Sequence, residues 1–162
     1  MFQTATINLA DKKEFYRELA QQLKGLLEGE RDAIANAANA SALMFQMMPD
    51  LNWAGFYFLK EGDELVLGPF QGKPACVRIP VGRGVCGAAV QKGVSMLVED
   101  VHAFPGHIAC DAASRSELVV PLHHQGGILG VIDLDSPLAS RFDTDDQAGI
   151  EALARIWVEA SY

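Results

Sequence analysis

A thiolate is the strongest nucleophile a side chain offers near neutral pH, and this chain carries three thiols, Cys76, Cys86 and Cys110. Cys110 lies in the stretch Glu99–Glu117, which follows an apolar, strand-like run (Ser95–Val98) and is broken by Pro105-Gly106, a turn-forming pair. The segment after it, Asp-Ala-Ala-Ser-Arg, is short and Ala-rich enough to predict one or two helical turns. That would set the thiol at a helix N-terminus, where free N–H groups and the macrodipole favour its ionised form. The competing reading of Cys110 is a small buried hydrophobe.

A second group of candidates comes from the chain's last third. Glu117–His124 and Ile128–Asp135 read as a hairpin around Gln125-Gly126-Gly127, a three-residue loop with Gly127 left-handed. This register sets His124 opposite Ile128, Val119 opposite Asp133 and Glu117 opposite Asp135, so Glu117, Asp133 and Asp135 share one face. They are either a site or the solvated side of an edge hairpin. Trp53 and Tyr57, four apart on an expected strand, also share a face. They could wall an apolar or cationic ligand or serve as ordinary core aromatics. A zinc site from His102, His107 and Cys110, with Cys76 or Cys86, lacks the paired spacing such sites show, and no metal is expected.

The elements that must position these groups are legible from periodicity. Asp11 caps a helix over about 11–27, in which Phe15, Leu19, Leu23 and Leu26 repeat. A second helix over about 30–48 places Ile34, Ala38, Ala42, Phe45 and Met48 on its packed face. Trp53–Leu59 and Glu64–Phe70 form a hairpin across Glu61-Gly62-Asp63. Cys76–Pro80 is a short strand, Gly82–Gly87 opens a helix to Lys92-Gly93, and Ser95–Glu99 is a fourth strand. Asp143 or Thr144 caps a last helix over about 144–160, with Ile150, Leu153, Ala154 and Trp157 inward. The result is an α+β fold, an antiparallel sheet covered by helices in a single domain over 1–162.

Composition narrows the function classes. A chain of 162 residues buries roughly 70% of its unfolded surface and needs no disulfide for stability. The net charge of −8 disfavours a nucleic-acid partner, since phosphate neutralisation needs a basic face. With no signal-like leader and no apolar run near the ~20 residues that span a bilayer, a cytoplasmic location away from membranes is expected. There, an odd number of cysteines fits redox or catalytic chemistry better than a disulfide framework.

Three runs carry a resemblance: Val77–Gly87 (Val-Arg-Ile-Pro-Val-Gly-Arg-Gly-Val-Cys-Gly), His107–Ser114 (His-Ile-Ala-Cys-Asp-Ala-Ala-Ser) and Gly130–Pro137 (Gly-Val-Ile-Asp-Leu-Asp-Ser-Pro). Together with the cysteine spacing they resemble the free methionine-R-sulfoxide reductases, a catalytic branch of the GAF domains, over essentially the whole chain. The resemblance implies a GAF fold and the reduction of free L-methionine (R)-S-oxide. It makes Cys110 the nucleophile, Cys76 the resolving cysteine and Cys86 an auxiliary thiol. Glu117, Asp133 and Asp135 become pocket carboxylates, and Trp53 and Tyr57 an aromatic wall beside the substrate methyl group. Arg115 departs from the family pattern, and its charge beside Glu117 would lower that residue's proton affinity.

The residue types suit that reaction. A sulfoxide sulfur is a poor electrophile until its oxygen is protonated, so thiolate attack needs a neutral acid nearby. Crowded, buried carboxyls retain such a proton. Attack leaves a sulfenic acid that a second thiol condenses to a disulfide, and thioredoxin or a similar external dithiol restores the enzyme with no bound cofactor. Whether Cys76 or Cys86 resolves, and which carboxyl gives the proton, stays open at this level, as does a homodimer. The alternative class is a non-catalytic GAF module that senses a small ligand.

Overall fold

The computed structural model describes residues 1–61 and 63–162; Gly62, in the middle of the first expected hairpin turn, lies outside the described residues. The chain opens with α1 (Lys12–Leu27), capped by Asp11, whose side chain accepts from the Lys13 and Glu14 backbone N–H groups. It continues with α2 (Ala33–Met47), capped by Asp32. The strands β1 (Trp53–Lys60), β2 (Glu64–Gly72) and β3 (Arg78–Pro80) follow. Next come α3 (Gly84–Lys92), β4 (Met96–Val98) and a 3-10 turn at Val101–Ala103. The strands β5 (Ser116–His124) and β6 (Gly127–Ser136) precede the closing helix α4 (Thr144–Ser161). Asp143 and Asp146 form a reciprocal capping box at the start of α4.

All six strands pair antiparallel in the order β3-β2-β1-β6-β5-β4. One face packs on α1, α2 and α4 through Phe56, Leu118, Val120, Ile132, Leu134 and Trp157, all but sealed from solvent. The other face is covered by α3 and the loops around it, where Trp53, Tyr57, Ile79, Val85, Cys86 and Val119 form a smaller core. No helix among the described residues is long and apolar enough to cross a membrane.

Two expectations are corrected here. On α2 the packed face is Ala37, Ala40, Leu43 and Met44, while Ile34 is 56% exposed and Phe45 36%. Six alanines in fifteen residues leave little hydrophobic contrast around this helix, so its buried stripe follows fit rather than residue size. The β5–β6 turn has two residues rather than three: Gln125 (φ 48°) and Gly126 (φ 78°) are both left-handed, and His124 pairs with Gly127. Two consecutive positive φ values match the twist of a tight hairpin. A bulge between Pro121 and His123 then restores the expected pairs Val119–Asp133 and Glu117–Asp135.

Candidate active site

The β5–β6 register brings the carboxyls together. Successive side chains on a strand alternate in direction, so Glu117 on β5 and Asp133 and Asp135 on β6 all face the α3 side, into one cavity of about 40 Å³. On β1, Trp53 and Tyr57 line the same cavity. Their rings lie 5.8 Å apart at 26°, with Phe70 stacked 5.2 Å beyond Trp53. Both aromatics also hold the segment that follows β2. The Trp53 Nε1–H donates to the Lys73 carbonyl at 3.2 Å, and the Tyr57 hydroxyl to the Cys76 carbonyl at 2.9 Å.

Cys76, carried by that segment, is joined in a disulfide to Cys110, with Cα atoms 5.4 Å apart. The bridge ties the segment after β2 to Cys110, which lines the cavity. Cys110 is not at a helix N-terminus. The Asp111 carboxylate accepts from the Ala113 N–H at 2.9 Å and from Asn52 Nδ2 at 3.0 Å, and a turn closes from Ser114 N–H to the Asp111 carbonyl. This Asx turn competes with helix for the same backbone groups. β5 pairing then begins at once, with Arg115 N–H on the Ser136 carbonyl.

The cysteine that does sit in a helix's first turn is Cys86, on α3. Its Sγ lies 4.0 Å from Glu117 Oε1, and it is the free thiol. Burial, followed by the charges of Asp133, Glu117 and Asp135, pushes this thiol well above its ordinary range. Desolvation and like charge outweigh the helix terminus, so Cys86 holds its proton.

Glu117 and Asp133 are each only 6% exposed. Burial, then Asp133 and Asp135, raises Glu117 well above the usual carboxylate range. Asp135 is raised in the same way by burial and Asp133. Burial pushes Asp133 up to about 6, partly offset by the protons of Glu117 and Cys86 that face it. Arg115 is exposed and plays no part in the causes that shift Glu117, contrary to the sequence expectation.

The cavity also takes in residues that the sequence reading missed or used otherwise. His107 is considered above only as a zinc ligand, yet its Nε2 lies 3.8 Å from Glu117 Oε2. Asp111 and Ser114 line the mouth, both tied to Asn52 Nδ2 at 3.0 Å. Both fall within the His107–Ser114 run that carries the family resemblance, which was the signal for them. The zinc set is not assembled: His102 is exposed, and Cys76 and Cys110 are bonded to each other.

A helix-covered antiparallel sheet with a buried carboxyl pocket, lined by one cysteine of a disulfide, is the framework of a small-ligand domain. The GAF domain family matches residues 11–156. Protein YtsP of Bacillus subtilis is 60% identical over 138 residues, covering 85% of each chain. The free methionine-R-sulfoxide reductase of Escherichia coli is 54% identical over 143 residues, 88% of this chain and 86% of that protein. The X-ray structure of free methionine-R-sulfoxide reductase from Neisseria meningitidis, in complex with its substrate, superposes with a TM-score of 0.95 at 43% identity, covering 99% of this chain and 95% of that one. The chain belongs to the GAF family, in its free methionine-R-sulfoxide reductase branch.

Proposed function

We propose that this chain reduces free L-methionine (R)-S-oxide to L-methionine, with Cys110 as nucleophile, Cys76 as resolving thiol and Glu117 as proton donor. The observation that carries this reading is the Cys76–Cys110 disulfide, whose Cys110 lines a pocket that also holds the buried Glu117 and Asp133 and the partly buried Asp135. The Glu117 carboxyl, which burial and its two acidic neighbours keep protonated, protonates the sulfoxide oxygen. The Cys110 thiolate attacks sulfur, the oxygen passes to the cysteine as a sulfenic acid, and methionine leaves. Cys76 then condenses with it, releasing water and forming the bridge. Negative charge on Asp133 holds the substrate ammonium, with the Asp135 carboxyl beside it as a hydrogen-bonding partner, and Trp53 and Tyr57 enclose the methyl group. Such enclosure of a whole amino acid favours the free sulfoxide over the same group in a protein.

Cys86 serves as an auxiliary thiol beneath the pair. Thioredoxin or a similar dithiol regenerates the enzyme by exchange at the exposed side of the bridge, in the cytoplasm. A homodimer would use the outward face of α2, where Ile34 and Phe45 stand exposed. The test is chiral chromatography of racemic free methionine sulfoxide after incubation with reduced protein, with Cys110→Ser alongside. Loss of the R epimer alone, absent in the variant, is the expected result. Persistence of both epimers would leave a ligand-sensing GAF module.

A further inference from the structure

The pocket floor gathers donors that sulfoxide chemistry does not use together. Cys86 Sγ and one carboxylate oxygen each from Glu117 and Asp133 lie within 4.8 Å of one another, all three residues buried. Asp133 is 6% exposed, and its Oδ1, sealed from solvent, has no hydrogen-bond partner among the described residues. Although the Glu117 and Cys86 protons face this carboxylate, the buried Oδ1 left unpaired is open to a cation or a donor from outside the chain. No described lysine or arginine lines this cavity.

The donor types select the cation. A thiolate and two carboxylates, with the His107 Nε2 3.8 Å from Glu117 Oε2, suit Zn²⁺ and chemically similar divalent ions. Mg²⁺ and Ca²⁺ require six or more oxygen ligands and reject sulfur. Tetrahedral zinc separates a sulfur and an oxygen ligand by about 3.6 Å, so the Cys86–Glu117 pair, now 4.0 Å apart, closes only slightly around an ion. The cavity, about 40 Å³, holds an ion and its remaining water, since one water needs roughly 10–15 Å³.

We propose that the pocket floor is a site for a thiophilic divalent cation, Zn²⁺ above all, held by Cys86, Glu117 and Asp133 with His107 or a water in the fourth position, and that this ion excludes the substrate. The second half rests on the reading of this pocket as the sulfoxide site. Binding is a proton-for-metal exchange: the ion displaces the Cys86 thiol proton and the Glu117 carboxyl proton to solvent, and nothing is oxidised or reduced.

The disulfide form isolates the site, because Cys86 is then the free thiol. Titrated with Co²⁺, it should take up one equivalent and develop a thiolate-to-cobalt charge-transfer band that Zn²⁺ abolishes. Cys86→Ser and Cys86→Ala, with folding checked by near-ultraviolet circular dichroism, should lose the band. Asp133→Asn should keep it while binding at least about tenfold more weakly. Absence of the band in the native protein, or its survival in a folded Cys86 variant, overturns the site. In pre-reduced, desalted enzyme one equivalent of Zn²⁺ should suppress the single-turnover burst of methionine at least tenfold, with excess sulfoxide restoring it. A burst indifferent to Zn²⁺ overturns the exclusion of substrate. A burst missing without Zn²⁺ as well, beside an intact cobalt band, would count against the reductase reading and leave the metal site standing.

Discussion

On β1, Ala54, Phe56 and Phe58 point to the helices, while Trp53 and Tyr57, their neighbours in sequence, point into the pocket. The same alternation on β5 and β6 sets Leu118, Val120, Ile132 and Leu134 against Glu117, Asp133 and Asp135. The helix face is close-packed hydrocarbon, and its burial stabilises the fold at roughly 25 cal/mol per Å². The pocket face holds two buried carboxyls, a partly buried third and a thiol crowded together, which works against folding. Strand alternation thus lets one sheet separate stability from chemistry, and substitutions on the two faces should fail in opposite ways.

The largest effect is expected from Glu117→Gln, which keeps shape and removes the acidic proton. Single-turnover methionine formation should fall by about 10²–10⁴-fold, with the unfolding midpoint unchanged or raised. Phe56→Ala on the opposite face should do the reverse. It is fully buried against Trp157, with ring centroids 5.1 Å apart, and its truncation should cost about 3–5 kcal/mol in urea unfolding, while the folded fraction turns over normally. A Glu117→Gln enzyme of native rate would move the acid elsewhere in the cluster.

A smaller effect concerns pH. Asp133 is raised from an ordinary value near 3.8 to about 6, so the folded state binds its proton more tightly than the unfolded state. Its contribution to stability is therefore complete below pH 3.8 and lost as pH rises through about 6. Asp133→Asn should remove that loss and gain up to about 3 kcal/mol at pH 7.5, at 1.36 kcal/mol per pKa unit, with no gain near pH 4. Urea midpoints at the two pH values measure this, and equal midpoints for variant and parent at pH 7.5 would show that the pocket face carries no such strain.

This division was legible in the sequence where residues contrast and illegible where they do not. The alternation of Leu118, Val120, Ile132 and Leu134 with acids makes the carboxyl face readable from the sequence. The expected register at Glu117 and Asp133 was right although the turn was not. A shorter turn moves the pairing by one residue, and a bulge near Gly130, where a Cβ would run into the Tyr57 backbone, moves it back. Bulges arise from contacts across the sheet and leave little trace in a single strand. On α2 the alanines look alike from every side, so Ile34 was assigned inward and stands outward. In the Cys110 loop, local helix propensity lost to the Asp111 side chain, whose partner Asn52 is distant in sequence. His107 and Ser114 went unread because loop residues have no period to orient them.

The smallest effect tests whether the pocket face also times the thiol chemistry. The Tyr57 hydroxyl donates to the carbonyl of Cys76 itself, so an aromatic of the pocket wall also holds the backbone that carries the proposed resolving thiol. Tyr57→Phe keeps the ring and removes one hydrogen bond, worth about 0.5–1.5 kcal/mol. If that bond sets where Cys76 stands, the variant should form the Cys76–Cys110 bridge about two- to tenfold more slowly after methionine has been released, seen as a longer-lived sulfenic acid trapped by dimedone. A change in substrate binding alone would alter the sulfoxide concentration dependence of the burst and leave the trapped lifetime as it was. The two outcomes separate a wall that only receives the substrate from one that also holds the second cysteine in place.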